Sequence, residues 1–233
     1  MLDDMFLFVD RSEAGEKLAV KLRDEPLIKQ TSPEDLLVLS IPRGGVVVGA
    51  AIAQVLGCAH DVVVVKKIGF PGQEELAIGA MAEDGTVIIS EQVTNWHTLK
   101  DDYIKQKEAQ VKDKIDTYVR KFRQGRALNL QSKTAIVVDD GIATGETMKA
   151  AVTWMTAAGQ KHPPSKVLIA VPVCSPLAGP ELAPLVDKFV CLSEPQRFWA
   201  VGQFYWNFDQ VADAEVLRHL LHRPNLTKTT IAA

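Results

Sequence analysis

The sequence predicts an α/β fold: a doubly wound, mainly parallel sheet flanked by helices, with a small hood built from the terminal segments. Three observations carry this expectation. Short apolar runs rich in β-branched residues recur along the chain and alternate with helical periodicity. Two of them, Leu36–Ile41 and Ala135–Val138, break into glycine-containing turns that open small-residue helices. Ligands of open α/β sheets bind beyond such strand tips. With 233 residues, 47% hydrophobic and 24% charged, the chain can also bury a substantial core. We therefore expect one domain over 1–233, with a core at about 33–192, hood candidates at 1–32 and 193–224, and a polar tail at 225–233.

Taken in order, Ser12 is the expected cap of a first helix whose Ala14, Leu18 and Leu22 recur at helical spacing. Strands are expected at 36–41, 61–66, 77–82, 86–90, 134–139, 166–171 and 188–192. Between the third and fourth, Glu83-Asp84-Gly85 signals a hairpin at a sheet edge. Val46–Leu56 continues the first strand tip as an apolar helix. Leu99–Arg123 reads as a long amphipathic helix with Ile104, Val111, Ile115, Val119 and Phe122 on one stripe, ended by Gly125. Its lysines are interleaved with Asp and Glu, which makes a solvated face rather than an RNA-binding one.

A net charge of −3 gives no general attraction to nucleic acid or membrane. Cys58, Cys174 and Cys191 are far apart and lack metal-type spacing, so reduced, packing thiols and a cytoplasmic setting are expected. Asp3 and Asp4 stand where a secretory signal would be basic, and the apolar run 46–59 is too short to span a bilayer.

The most informative stretch is Ala135-Ile-Val-Val-Asp-Asp-Gly-Ile-Ala-Thr-Gly-Glu-Thr147. A buried strand ends in vicinal carboxylates, and Gly141–Thr147 supplies backbone N–H groups and two hydroxyls at a helix entrance marked by Met148, Val152 and Met155. Orphan donors and the helix dipole stabilise a phosphate there. Asp139 and Asp140 would accept from a diol and attract Mg²⁺ directly or through water. A ribose 5-phosphate fits both halves. The spacing lacks the lysine of a Walker A loop, and no Gly-x-Gly-x-x-Gly opens a helix.

This stretch resembles the phosphoribosyl-pyrophosphate (PRPP) motif of type I phosphoribosyltransferases. The resemblance implies that Asp139 and Asp140 hold the ribose 2′ and 3′ hydroxyls. Ala143, Thr144, Gly145, Glu146 and Thr147 would wrap the 5′-phosphate, with Gly141 and Ile142 completing the loop. Gly141 stands where a bulkier aliphatic residue is common, and a looser turn is expected from it.

Leu36-Leu-Val-Leu-Ser-Ile-Pro-Arg-Gly-Gly45 supports the same reading. Gly44 and Gly45 let a backbone approach a ligand closely, and Arg43 offers a guanidinium matched to phosphate oxygens. In the resembled family such a pyrophosphate loop carries a strained non-proline peptide bond, expected here near Arg43-Gly44. A four-valine strand then delivers Lys66 and Lys67 to a stretch punctuated by Gly69, Pro71 and Gly72, read as a mobile flap with Glu75 as its carboxylate to test. Both lysines would neutralise departing pyrophosphate.

With Phe8-Val-Asp-Arg-Ser-Glu-Ala-Gly15 and Ala200-Val-Gly-Gln-Phe-Tyr-Trp-Asn-Phe-Asp209, nearly the whole chain resembles a bacterial group of stand-alone phosphoribosyltransferases. Lys66 departs from an expected arginine and Gln73 from an expected asparagine. Phe204 and Tyr205 belong to an aromatic cluster that could stack on a planar acceptor; core packing or a dimer contact explains it as well. The implied activity is Mg²⁺-dependent displacement of pyrophosphate from C1′ of PRPP by a nitrogenous acceptor, a nucleobase among the candidates, in a homodimer. The alternatives are a non-catalytic PRPP-sensing regulator and a nucleotide hydrolase or phosphorylase.

Overall fold

Five strands line up in the order β2-β1-β6-β7-β8, every neighbouring pair parallel. They are β1 (Leu36–Ser40), β2 (Ala59–Val62), β6 (Thr134–Val138), β7 (Lys166–Val173) and β8 (Lys188–Ser193). The computed structural model describes residues 6–70, 73–89, 101–157 and 162–221, with side chains at 70, 73–78, 88–89 and 101–106 outside that description. Among the described residues no helix is long and apolar enough to cross a membrane.

The sheet is covered on both faces, which is why its central strands read as continuous apolar runs. Leu36, Val38, Ile136 and Val138 pack towards α1 (Arg11–Asp24) and α3 (Gly44–Leu56). Their neighbours Leu37, Leu39, Ala135 and Val137 pack towards α5 (Glu146–Thr156). The period of two along a strand sorts one apolar run into two cores. Short helices α2 (Pro26–Lys29) and α6 (Ala178–Leu182), the long α4 (Asp101–Arg123) and a last helix α7 (Asp213–Leu221) complete the order.

Two local expectations need correction. Asp10 rather than Ser12 caps α1: its carboxylate accepts from the Glu13 amide at 2.9 Å, and Ser12 lies inside the first turn. Either residue type caps well, so composition alone could not choose between them. The expected strand 61–66 is two strands. Val62 closes β2 against Ser40, and Val65 opens β3 (Val65–Phe70) in a separate antiparallel sheet, β3-β4-β5, with β4 at Gln73–Ala82 and β5 at Val87–Ile89. Val63 and Val64 are fully buried between the two sheets, so hydrophobicity carries no mark of the break. The stretch from Lys66 onward, expected to form a flap, is built on two paired antiparallel strands, β3 and β4, with Pro71 and Gly72 outside the described residues. The β4–β5 turn forms as expected, with Gly85 at a φ of 88°.

One buried cation joins these parts. Arg123, 4% exposed, grips both carboxylate oxygens of Glu83 at 2.8 and 2.7 Å and the Val62 carbonyl at 2.5 Å, with Asp61 at 3.4 Å. The end of α4 is thereby tied to the end of β2 and to the β4–β5 turn.

The terminal segments meet across the carboxyl ends of the strands. Phe8 and Tyr205 form a parallel bridge, and the Trp206 and Asn207 amides donate to the Phe8 and Val9 carbonyls at 2.9 and 2.8 Å. The polar tail at 225–233 lies outside the described residues.

Candidate phosphosugar site

β6 ends at Val138, and the next two side chains are the vicinal carboxylates. Burial pushes both carboxyls above the usual Asp range. For Asp139 the neighbouring Asp140 charge raises it further, whereas Arg11 works against the rise at Asp140. Arg11 Nε meets Asp140 Oδ2 at 2.7 Å, and the Tyr205 hydroxyl donates to the Asp140 main-chain carbonyl at 2.5 Å. Asp139 Oδ1 accepts from the Asp140 amide at 2.9 Å.

The start of α3 packs directly on these acids. A Cβ on Gly44 would fall 1.9 Å from Asp140 Oδ2, and one on Gly45 would fall 2.8 Å from the Val138 carbonyl oxygen. Any side chain there would displace the carboxylates, so the two glycines are needed for close approach to the acids. A non-proline cis peptide bond is present at Pro42–Arg43, one residue before the expected position.

Downstream, Gly145 adopts a left-handed φ of 81° as it enters α5, leaving the loop amides at the positive end of the helix. A cavity of about 170 Å³ lies over this entrance, lined by Lys67, Asp139, Ala143, Thr144, Gly145 and Thr147 among others. Lys67 Nζ donates to Thr144 Oγ1 at 3.3 Å, which brings a cation from β3 to the loop. Glu146 lies in the first helical turn, and Ile142 is buried below the loop, where its amide donates to the Val173 carbonyl at 2.9 Å. Ser175 secures the loop from the end of β7: its hydroxyl donates to the Ala143 carbonyl at 2.6 Å and its amide to the Ile142 carbonyl at 2.8 Å.

Lys66 emerges on the opposite side of β3. Its ammonium sits 4.0 Å from the Tyr118 ring centre, and burial followed by the nearby Arg43 charge lowers its pKa. Arg43 itself is engaged at 3.7 Å by Asp213. The structure thus gathers Asp139, Asp140, Gly44, Gly45, Lys67 and the 141–147 loop, while Lys66 and Arg43 share a second group with α4 and α7. Glu75 lies within β4 with its side chain outside the described ones.

The acceptor-stacking role expected for Phe204 and Tyr205 is corrected. They are 5% and 2% exposed and pack with Phe8 and Val173, so no ring face is open to a planar ligand. The exposed aromatics nearby are Trp199 and Trp206.

Gly141 does not loosen its turn. A Cβ there would meet Val201 Cγ1 at 2.5 Å and Val173 Cγ1 at 2.9 Å, so Val201 fills the space a larger residue would take. Gly141→Ala is accordingly expected to destabilise the protein by about 1–3 kcal/mol through overpacking, read as a lowered midpoint in chemical denaturation. An unchanged midpoint would show that Val201 yields without cost.

Sequence reasoning assigned no role to Arg11, Ser175, Val201 or Asp213. Arg11 and Val201 fall within the two terminal segments quoted above, but nothing local indicates which residue each one contacts.

A parallel strand-turn-helix unit carrying vicinal acids and a loop of helix-entrance amides at the carboxyl end of the sheet defines the class as a doubly wound α/β protein. The family model described as the phosphoribosyl transferase domain matches residues 11–209, and the chain belongs to that family. Two strains of Mycobacterium tuberculosis hold relatives provisionally named phosphoribosyl transferases, 39% identical over 217 residues and 93% of this chain. The chain spans about half, 47%, of the length of these curated relatives. The solved structure of TT1426 from Thermus thermophilus is 35% identical, with a TM-score of 0.75 covering 93% of this chain and 98% of that one. The AQ2163 protein of Aquifex aeolicus, at 14% identity and a TM-score of 0.50 over 84% of this chain and 85% of its own, shares the fold.

Proposed function

We propose that the chain transfers a phosphoribosyl group from PRPP to a nitrogenous acceptor, a nucleobase among the candidates. The observation that supports this reading is that Asp139 lines one cavity with Lys67 and the 141–147 loop, while the Gly44-Gly45 turn packs against the Asp139–Asp140 pair from the other side. Asp139 and Asp140 accept from the ribose diol, and the 143–147 amides with Lys67 hold the 5′-phosphate. Gly44 and Gly45 admit pyrophosphate to the start of α3, with Arg43 and Lys66 as the cations on that side. In the reaction the C1′–oxygen bond to pyrophosphate breaks, a C1′–nitrogen bond forms and the acceptor nitrogen loses a proton. Positioning and charge stabilisation supply most of the rate.

The vicinal carboxylates of Asp139 and Asp140 fit Mg²⁺ held chiefly by ligand oxygens and water, because oxygen donors suit this ion and it retains several waters. Asp139, whose carboxylate makes no ion pair among the described residues, and Asp140 would be its protein ligands. The ion would neutralise charge developing on pyrophosphate.

Calorimetric titration of PRPP with and without Mg²⁺ tests the proposal. Saturable, Mg²⁺-strengthened binding and acceptor-dependent pyrophosphate release are the expected results. Absence of binding under both conditions would refute it.

A further inference from the structure

Arg11 is the first residue of α1, yet its side chain serves three partners far from it in sequence. Nε pairs with Asp140 Oδ2 at 2.7 Å, Nη1 donates to the Asp209 carbonyl at 2.8 Å, and the guanidinium lies 3.8 Å from the Phe208 ring centre. The ion pair is shielded, with side-chain exposures of 11% and 15%. A Cβ on Gly44 would lie 3.0 Å from Arg11 Nε, so the guanidinium occupies space that any side chain at this turn would need. Arg11 thus links the 208–209 segment to one carboxylate oxygen of Asp140, beside the glycine turn.

We propose that Arg11 is a positioning residue of the ribose site: it fixes the Asp140 carboxylate so that its other oxygen is presented to the sugar hydroxyl. This inference rests on the reading of Asp139 and Asp140 as the diol-binding pair. The planar fork explains why arginine stands here. One nitrogen aims at the carboxylate while a second ties the guanidinium to the 208–209 segment, and the plane packs on an aromatic face. Lysine would preserve the charge but lacks a planar fork that can bond two acceptors while stacking on the Phe208 ring. Asp140 is braced from its main chain too, by Tyr205, so its remaining freedom is side-chain rotation, which Arg11 removes.

The experiment compares wild type, Arg11→Gln and Arg11→Lys by calorimetric titration with three probes: ribose 5-phosphate, 2,3-dideoxyribose 5-phosphate and inorganic phosphate. Wild type should prefer the intact diol over the dideoxy sugar. In Arg11→Gln that preference should shrink by about tenfold, a change worth one charge-assisted hydrogen bond, while inorganic phosphate binds the 143–147 loop as before. A purely structural role would weaken all three probes together. Arg11→Lys should lose most of the preference despite its charge, and it carries the test if Arg11→Gln does not fold. An unaltered preference in a folded variant overturns the role of Arg11 while leaving the phosphosugar site intact. A wild type that binds phosphate but does not distinguish the two sugars overturns the diol assignment and this inference with it.

Discussion

Replacing Asp139 and Asp140 together by asparagine is expected to weaken PRPP binding roughly 100-fold or more, because each charged acceptor to a sugar hydroxyl contributes about 1.5–3 kcal/mol. The fold should survive, since asparagine is isosteric and the two single variants pull stability in opposite directions. Asp139 is buried beside a second acid, so its folded-state pKa lies above its unfolded value. That sign means the ionised carboxyl opposes folding increasingly as pH rises above the unfolded pKa near 3.8. Asp139→Asn should therefore raise the melting temperature at neutral pH. Burial raises the Asp140 pKa as well, but Asp140 is the ion-pair partner of the shielded Arg11, and the cost of stranding that cation outweighs the relief, so Asp140→Asn should lower the melting temperature. Calorimetry and thermal denaturation of the two singles and the double check both halves. A double variant that binds PRPP as tightly as wild type would remove the acids from the site.

The second large effect concerns the fold that carries the site. Arg123→Ala should cost about 3–5 kcal/mol, because it strands Glu83 and Asp61 in a shielded region and frees the Val62 carbonyl. Removing both partners should be gentler than the single substitutions suggest, since the penalty is that of an uncompensated charge. In a denaturation cycle, Arg123→Ala with Glu83→Ala is thus expected to be clearly less destabilised than the sum of the two singles. Strict additivity would mean that the network contributes only independent packing. The substitution should also weaken phosphate binding, because Arg123 sits where the chain passes from β2 to β3, the strand that brings Lys67 to Thr144.

The acids and both turns were legible because each is a local event: an apolar strand, an abrupt end and residues whose chemistry is set within ten positions. The parallel sheet and the β4–β5 hairpin were legible for the same reason. The break between β2 and β3 was not, because Val62 to Val65 satisfy either sheet equally well. Arg11 escaped because its partner lies 129 residues away, and no property of an arginine at a helix start announces a distant carboxylate. The aromatic run 198–208 was visible as composition, but composition cannot say that Phe204 and Tyr205 turn inward while Trp199 and Trp206 turn outward. Gly141 was misjudged because the missing side chain was weighed as freedom, whereas it is room for Val201.

The valines ahead of the two lysines act as a parity counter. Val62 and Val64 face the core shared by α4 and α7, while Val63 and Val65 face the core under α5. The alternation continues unbroken across the change of sheet, so Lys66 goes to Tyr118 and Lys67 to Thr144. Two adjacent and chemically identical cations are thus addressed to different places by whether their position is even or odd. Adding or deleting one residue in that run would exchange their destinations while leaving both lysines in place in the chain order.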